Sequence, residues 1–226
     1  MGELTTSIAH EVKQPLYAIV SNAQTATRLL ESEQPDTKML RETLIDIASA
    51  GNRAADIIDH IRSMTRKEHR EHHQLNLNQV VDDVIKLVDP ELRKRQLSIR
   101  TELAASLPAV RGDPIELQQV ILNLIINGAQ AMSHEDTRSL EILVATSTSK
   151  GYVELAVTDS GVGLSKTESD RMFEPFFTTK ADGTGMGLAI NRTIIEAHGG
   201  RIWAAPNADR GTTFHFCLPI TSEDGQ

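Results

Sequence analysis

"VILNLIINGAQAM", Val120 to Met132, is an apolar run broken twice by asparagine. Asn123 and Asn127 stand four residues apart, so a helix puts both on one face. Asparagine is a poor residue for a helix interior, and an unpaired buried amide costs about 1–3 kcal/mol. Two of them amid Ile and Leu point either to amides turned toward a polar ligand or to amides capping a neighbouring loop. The start of this helix is marked by Asp113 as N-cap, Pro114 in the first turn and Glu116 three after the cap, which predicts a helix from Asp113 to about Met132.

The surrounding texture is mixed. "LNLNQVVDDVIKLV" reads as a helix after a short extended lead, and a further helix is expected from roughly Gly185 to His198. "LSIRTEL", "LEILVATSTS", "YVELAVTD", "RIWAAP" and "TTFHFCLP" are strand-like, rich in β-branched and apolar residues. Strands with hairpin-like neighbours, interleaved with helices, predict an α/β sandwich: a mixed sheet covered by helices on one face.

The first third has a different period. Leu4, Ile8, Val12, Pro15, Ile19, Ala26 and Leu30 recur at three- and four-residue steps and fall in one narrow helical stripe. "ESEQPD" interrupts it, with Pro35 restricting its predecessor and Asp36 a good N-cap. A second helix is expected to about Met64, with Leu40, Leu44, Ile47, Gly51, Ala54, Ile58 and Ile61 on one side. A hairpin of two such helices leaves apolar surface uncovered, and pairing two hairpins into a dimeric four-helix bundle covers it. The chain is therefore α+β, with a hairpin over residues 1–70 and a sandwich domain over residues 71–222. "RKEHREHH", Arg66 to His73, reads as the connector; its histidines lack companions at metal-ligand spacing and suit a charged linker.

Composition narrows the field. A net charge of −8 argues against a nucleic-acid-binding surface. The single cysteine, Cys217, forms no internal disulfide, suits a reducing compartment, and reads as packing filler at a strand end. No apolar run approaches the roughly 20 residues of a membrane span, and no signal peptide is evident, so a cytoplasmic portion is expected. Met1-Gly2-Glu3 already reads as part of a helix, so the chain is expected to be a portion of something larger, with an upstream sensor domain outside this sequence.

Two further motifs carry chemistry. In "DSGVG", Asp159, Gly161 and Gly163 follow a strand directly; the glycines admit close approach, and the carboxylate can accept from the exocyclic amine of a base. Asp-Ser-Gly is also an ordinary turn. "RMFEPFFTTK" then leads into "ADGTGMGLAI", where Gly183, Gly185 and Gly187 precede a helix whose N-terminal amides can hold phosphate. Lys180 stands ahead as a compact charge. The stretch lacks the Gly-Lys-Ser/Thr ending of a Walker loop and the βαβ setting of a dinucleotide fingerprint. Phe173, Phe176 and Phe177 around Pro175 suit an apolar latch on a mobile lid, or a surface loop pinned by packing.

Taken in order, Asn-x-x-x-Asn, Asp-x-Gly-x-Gly, Phe-x-Pro-Phe and Gly-x-Gly-x-Gly resemble the N, G1, F and G2 boxes of the sensor histidine kinases, within the wider gyrase-, Hsp90- and histidine-kinase-type ATPases. The likeness runs from about Leu75 to Pro219. It implies an ATP site in which Asn127 coordinates Mg²⁺ with Asn123 in support, both counted with the metal. Asp159 reads the adenine amine, Lys180 meets phosphate, and the Gly183, Gly185 and Gly187 loop wraps the triphosphate. Gly161, Gly163, Phe177 and Leu188 complete the expected nucleotide contacts. Gly128 departs from the family's usual alanine, and the lid is short.

The same resemblance reaches the first helix. "HEVKQPL", His10 to Leu16, is similar to the family's phospho-acceptor box. His10 lies about 200° around the wheel from Ile8, on the polar side. The implied activity is an ATP-dependent protein histidine kinase: His10 takes the γ-phosphate and passes it to an aspartate of a response-regulator receiver domain. Glu11 is the natural acceptor for the proton of the second ring nitrogen. Pro15 removes a backbone donor and should bend the helix one turn past His10. Gln14 stands where relatives carry Thr or Asn to position water for dephosphorylating a partner, and its amide has a longer arm. Two other readings share these features: a chaperone- or topoisomerase-like ATPase of the same superfamily, and a non-catalytic dimeric scaffold. The complete Asn, Asp, Gly and Lys set speaks against the scaffold.

Overall fold

The computed structural model describes residues 2–32, 36–65, 72–132, 140–180 and 185–221, with side chains except at residues 2–13, 52, 53, 55–65, 166 and 170. The chain divides into two compact units: Met1–Glu68 with Phe176–Met186, and His69–Pro175 with Gly187–Gln226.

In the first unit, α1 (Gly2–Leu30) and α2 (Thr37–Thr65) pack as a hairpin. Asp36 caps α2 as the sequence predicts: its Oδ1 accepts from the backbone N–H groups of Lys38 and Met39, each at 3.0 Å. Where α1 and α2 pack, small residues are buried: Ala26 on α1, and Thr43, Ala50 and Ala54 on α2. Other stripe residues stay open in the single hairpin: Leu44 is 52% exposed and Leu30 62% exposed, apolar surface of the kind that the sequence leaves for a second hairpin to cover. One helix offers its partner a contact line narrower than a full apolar stripe, so the remaining large side chains face outward. Leu16, Tyr17, Val20, Met39 and Ile45 are exposed with them.

In the second unit, a five-stranded sheet runs in the order β2 (Leu97–Glu102), β4 (Leu140–Ser149), β5 (Tyr152–Thr158), β7 (Thr212–Pro219), β6 (Arg201–Pro206). Only β2 and β4 are parallel; the other three pairs are antiparallel. A parallel pair needs a crossover, and the asparagine-bearing helix α4 (Pro114–Ala131) supplies it. β1 (His73–Leu75) and β3 (Val110–Gly112) form a separate antiparallel pair.

Helices α3 (Leu77–Lys94), α4 and α6 (Gly187–Ala197) cover one face of the large sheet. Strand alternation supplies that face, as in β7, where Phe214, Phe216 and Leu218 are buried. Cys217 points the other way and is half-buried. Three short elements differ from the sequence reading: β3, the paired form of the expected extended lead as β1, and α5 (Lys166–Arg171), a single capped turn and a half. Among the described residues, no helix is long and apolar enough to cross a membrane.

Candidate functional site

The two asparagines of α4 meet. Asn127 Nδ2 donates to Asn123 Oδ1 at 3.1 Å, and Asn123 Nδ2 donates to Oδ1 of Asn191, on α6, at 3.1 Å. Gly187 opens α6 against this pair: a Cβ there would stand 2.8 Å from Asn123 Nδ2. The absence of a side chain at Gly187 is what lets the first turn of α6, with its outward backbone amides, come up to the amide pair. Leu188 follows it, half-buried.

Asp159 leaves the end of β5 and is 3% exposed. Its Oδ1 accepts from the backbone N–H of Gly161 at 2.9 Å and of Thr212 at 3.2 Å, which fixes the plane of the carboxylate. The backbone of Asp159 is held too. Its carbonyl accepts from Asn207 Nδ2 at 2.8 Å, and its N–H donates to the Thr212 carbonyl at 2.9 Å. Thr213 Oγ1 donates to Asn207 Oδ1 at 2.6 Å, tying the β6–β7 loop into the same support. Two close approaches require glycine. A Cβ on Gly161 would meet the Ala131 carbonyl at 2.7 Å; one on Gly211, whose φ is +92°, would overlap the Asp159 carbonyl. Gly128 brings α4 within reach of the carboxylate, since a Cβ there would stand 3.2 Å from Asp159 Cβ and 3.8 Å from its Oδ2.

The second unit thus brings Asn123, Asn127, Asp159, Gly161, Gly163, Gly187 and Leu188 onto the end of α4, the start of α6 and the turn after β5. Phe177, Lys180 and Gly185 belong to the first unit. Lys180 is exposed, and its backbone N–H donates to Thr178 Oγ1 at 3.1 Å. Gly185 has a φ of +66° and packs against the Phe176 backbone. Gln14 is exposed on α1. The side chains of His10 and Glu11, and the whole of Gly183, lie outside the described residues.

The family described as "Histidine kinase-, DNA gyrase B-, and HSP90-like ATPase" matches residues 112–222, and the "His Kinase A (phospho-acceptor) domain" matches residues 1–70. The solved catalytic domain of histidine kinase ThkA is 33% identical, with a TM-score of 0.60; the likeness covers 67% of this chain and 97% of that one. This chain belongs to the histidine kinase family.

Other histidine kinases extend the likeness along the chain. The structure of ThkA in complex with response regulator protein TrrA is 28% identical at a TM-score of 0.77, covering 99% of this histidine kinase chain and 63% of that one. Sensor protein FixL of Bradyrhizobium diazoefficiens is 35% identical over 225 residues, and sensor histidine kinase TmoS of Ectopseudomonas mendocina is 34% identical over 223. The chain spans 44% and 23% of their respective lengths.

Sequence reasoning missed three residues of this site in the kinase chain: Asn191, Asn207 and Thr212. Asn191 carried a signal of the kind that marked Asn123, an asparagine among isoleucines in a predicted helix. Asn207 and Thr212 carried none, because their role depends on strand pairing between distant segments.

Proposed function

We propose that this chain is the catalytic core of a two-component sensor histidine kinase working in the cytoplasm. Residues 71–222 bind ATP with Mg²⁺, His10 in the 1–70 hairpin takes the γ-phosphate, and a receiver-domain aspartate of a response regulator takes it in turn. The observation that carries the reading is the oriented pair of polar groups on the second unit: the Asn127–Asn123 amides beside the start of α6, and the Asp159 carboxylate held by two backbone N–H groups. Each suits an adenine nucleotide by its chemistry: Asp159 would accept from the adenine amine, and the amides that open α6 would take the phosphates.

The donor set fits a divalent cation. Asn127 donates to Asn123 through its Nδ2, and an amide carbonyl oxygen is the kind of hard ligand that Mg²⁺ selects. Asn123 has both ends of its amide engaged, so its part is to hold Asn127. Among the described residues, no three His, Cys, Asp or Glu side chains group as a metal cage, which agrees with a cation shared with the nucleotide phosphates. When bound, Mg²⁺ supplies charge neutralisation on the phosphates.

Phosphoryl transfer asks the protein for alignment and charge balance. In the proposed step, the lone pair of one imidazole nitrogen of His10 forms the P–N bond while the bond from the γ-phosphorus to the bridging oxygen breaks and ADP leaves. The other ring nitrogen releases its proton toward Glu11. Lys180 balances phosphate charge. Support for the receiver partner comes from ThkA, solved with its response regulator. Support for a homodimer comes from the outward apolar side chains of the hairpin, such as Tyr17 at 69% exposure.

The test is incubation with γ-labelled ATP and MgCl₂. Acid-labile, alkali-stable label is expected on the wild-type chain and none on His10→Ala, which should bind nucleotide unchanged. Label persisting on the variant, or steady phosphate release with no labelled protein, would overturn the reading in favour of another acceptor or of an ATPase of the wider superfamily.

A further inference from the structure

Residues 207–211 join β6 to β7, and the first of them holds the loop in place. The backbone N–H of Asn207 donates to the Gly211 carbonyl at 3.1 Å, which closes the loop. Its side chain reaches further. Nδ2 donates to the Arg210 carbonyl at 3.0 Å and to the Asp159 carbonyl at 2.8 Å, while Oδ1 accepts from Thr213 Oγ1 at 2.6 Å. Thr213 Oγ1 also lies 2.9 Å from Thr158 Oγ1; since its own hydrogen goes to Asn207, Thr158 is the donor there. One half-buried amide thus grips both Thr158, the last residue of β5, and Asp159, the residue that follows it.

We infer, on the strength of the nucleotide-site reading above, that Asn207 is a positioning residue for base selection: by fixing the peptide that joins Asp159 to Ser160, it sets the Asp159 carboxylate where it tells a purine with a 6-amino group from one without. A carboxylate on so short a side chain goes where its backbone goes. Its Oδ1 is bound to the N–H groups of Gly161 and Thr212, so a turn of the peptide after Asp159 moves Gly161 and tilts the carboxylate plane. Hydrogen bonds weaken steeply as their angle falls away, and a recognition group has to be held to within about 0.5 Å. The position asks for two N–H groups and one acceptor on a short arm, which only a primary amide supplies. Aspartate keeps the shape and the acceptor for Thr213, but turns oxygen against oxygen at the two carbonyls. None of the Asn207 hydrogen bonds goes to the Asn123–Asn127 pair or to the start of α6. Its loss should therefore show in discrimination between bases and leave the hold on the phosphates.

The test is calorimetric titration in MgCl₂ with two ligands: the non-hydrolysable β,γ-imido analogue of ATP, and the same compound lacking the 6-amino group. Wild type should bind the amine-bearing ligand roughly tenfold more tightly or better, the worth of one well-made hydrogen bond. Asn207→Asp and Asn207→Ala should each bind that ligand about tenfold more weakly than wild type, and the other ligand within about threefold of wild type. Most of the preference is then lost. Effects common to both ligands cancel in the ratio, including that of the charge which aspartate adds. In an Asp159→Asn chain, where the carboxylate is already gone, replacing Asn207 should leave the ratio where it was. Circular dichroism and thermal unfolding check that each chain is folded, and the aspartate variant carries the test where alanine is not accommodated.

Equal weakening of both ligands would reduce Asn207 to a loop brace and overturn the inference, as would variants that keep the full wild-type preference. A further change of ratio in the Asp159→Asn chain would overturn it too, since the effect would then run through another group. Each of these results leaves the nucleotide site standing. A wild-type chain that binds both ligands alike, or neither, would overturn the reading of Asp159 and this inference with it.

Discussion

Asp159 does two jobs with one side chain, and conservative and drastic substitutions separate them. Its Oδ1 satisfies two backbone N–H groups in a buried place, and the carboxylate as a whole carries the charge proposed to accept from adenine. Asp159→Asn keeps an oxygen for those N–H groups but presents an N–H₂ at the other end. It should lower ATP affinity by about 10–100-fold, the worth of about 1.4–2.7 kcal/mol, with Tm nearly unchanged. Asp159→Ala orphans both donors and should also destabilise the fold by about 2–4 kcal/mol, read by chemical denaturation. An asparagine variant that binds as tightly as wild type would remove Asp159 from nucleotide recognition. Gly211 belongs to the same support. At φ +92° and against the Asp159 carbonyl, Gly211→Ala should cost at least about 2 kcal/mol and weaken nucleotide binding through a displaced Asp159. The sequence announced Asp159 through its flanking glycines, and Asn123 and Asn127 through their misfit with a helix interior. It stayed silent on Thr212, whose backbone N–H reaches Asp159 because β7 pairs with β5, a relation between segments more than fifty residues apart. Asn191 was legible in kind, but one asparagine in a helix carries little weight until its burial is known.

At the scale of elements, long periodic segments and strong caps were readable, and short ones were not. Helix α4 begins where the Asp113 cap predicts, with Oδ1 accepting from Ile115 and Glu116 N–H at 2.8 and 3.4 Å. A tertiary tie adds to the cap: the backbone N–H of Asp113 donates to Nε2 of buried His198 at 3.0 Å, while the His198 Nδ1–H donates to the Ile194 carbonyl at 2.8 Å. β1 and β3, three residues each, are too short to show a period, and α5 has six residues. What specifies α5 is a capping box, Ser165 with Glu168, whose side chain accepts from the Ser165 N–H at 2.8 Å. The Ser165 hydrogen bonds hold the Glu168 carboxyl below its usual value of 4.5. A depressed folded-state value means the cap's contribution is complete above the unfolded value and fades as pH falls below it through the folded one. Amide exchange in Lys166–Arg171, corrected for intrinsic rates, should therefore speed up on acidification below about 4.5, and Glu168→Gln should flatten that dependence. An unchanged profile in the glutamine variant would assign the acid sensitivity to another group.

For the whole molecule, the decisive feature is apolar surface that one copy of the chain leaves uncovered. Sequence periodicity found the right helices and grouped Leu44 with small residues such as Ala54 on one stripe, but a wheel cannot say which part of a stripe the neighbouring helix covers and which part is left for a second hairpin. The hairpin chose the small residues Ala26, Ala50 and Ala54 for its own contact and left Val20, Leu44 and Ile45 outside. Burying a Leu or Ile side chain is worth about 1.5–3 kcal/mol, so several per subunit suffice to hold two hairpins together as a four-helix bundle. In the proposed two-fold dimer each contact would be repeated by the axis, so one substitution in the chain would act twice at the interface. The double variant Val20→Glu/Leu44→Glu should therefore turn a dimer into a monomer, as measured by light scattering on the full chain. Because both positions are solvent-facing in the single hairpin, far-UV circular dichroism and binding of the ATP analogue to the second unit should stay close to wild type. A variant that remains dimeric would move the interface to another surface. A wild-type chain that is already monomeric at the concentrations used for phosphorylation would mean that label on His10 arises within one subunit.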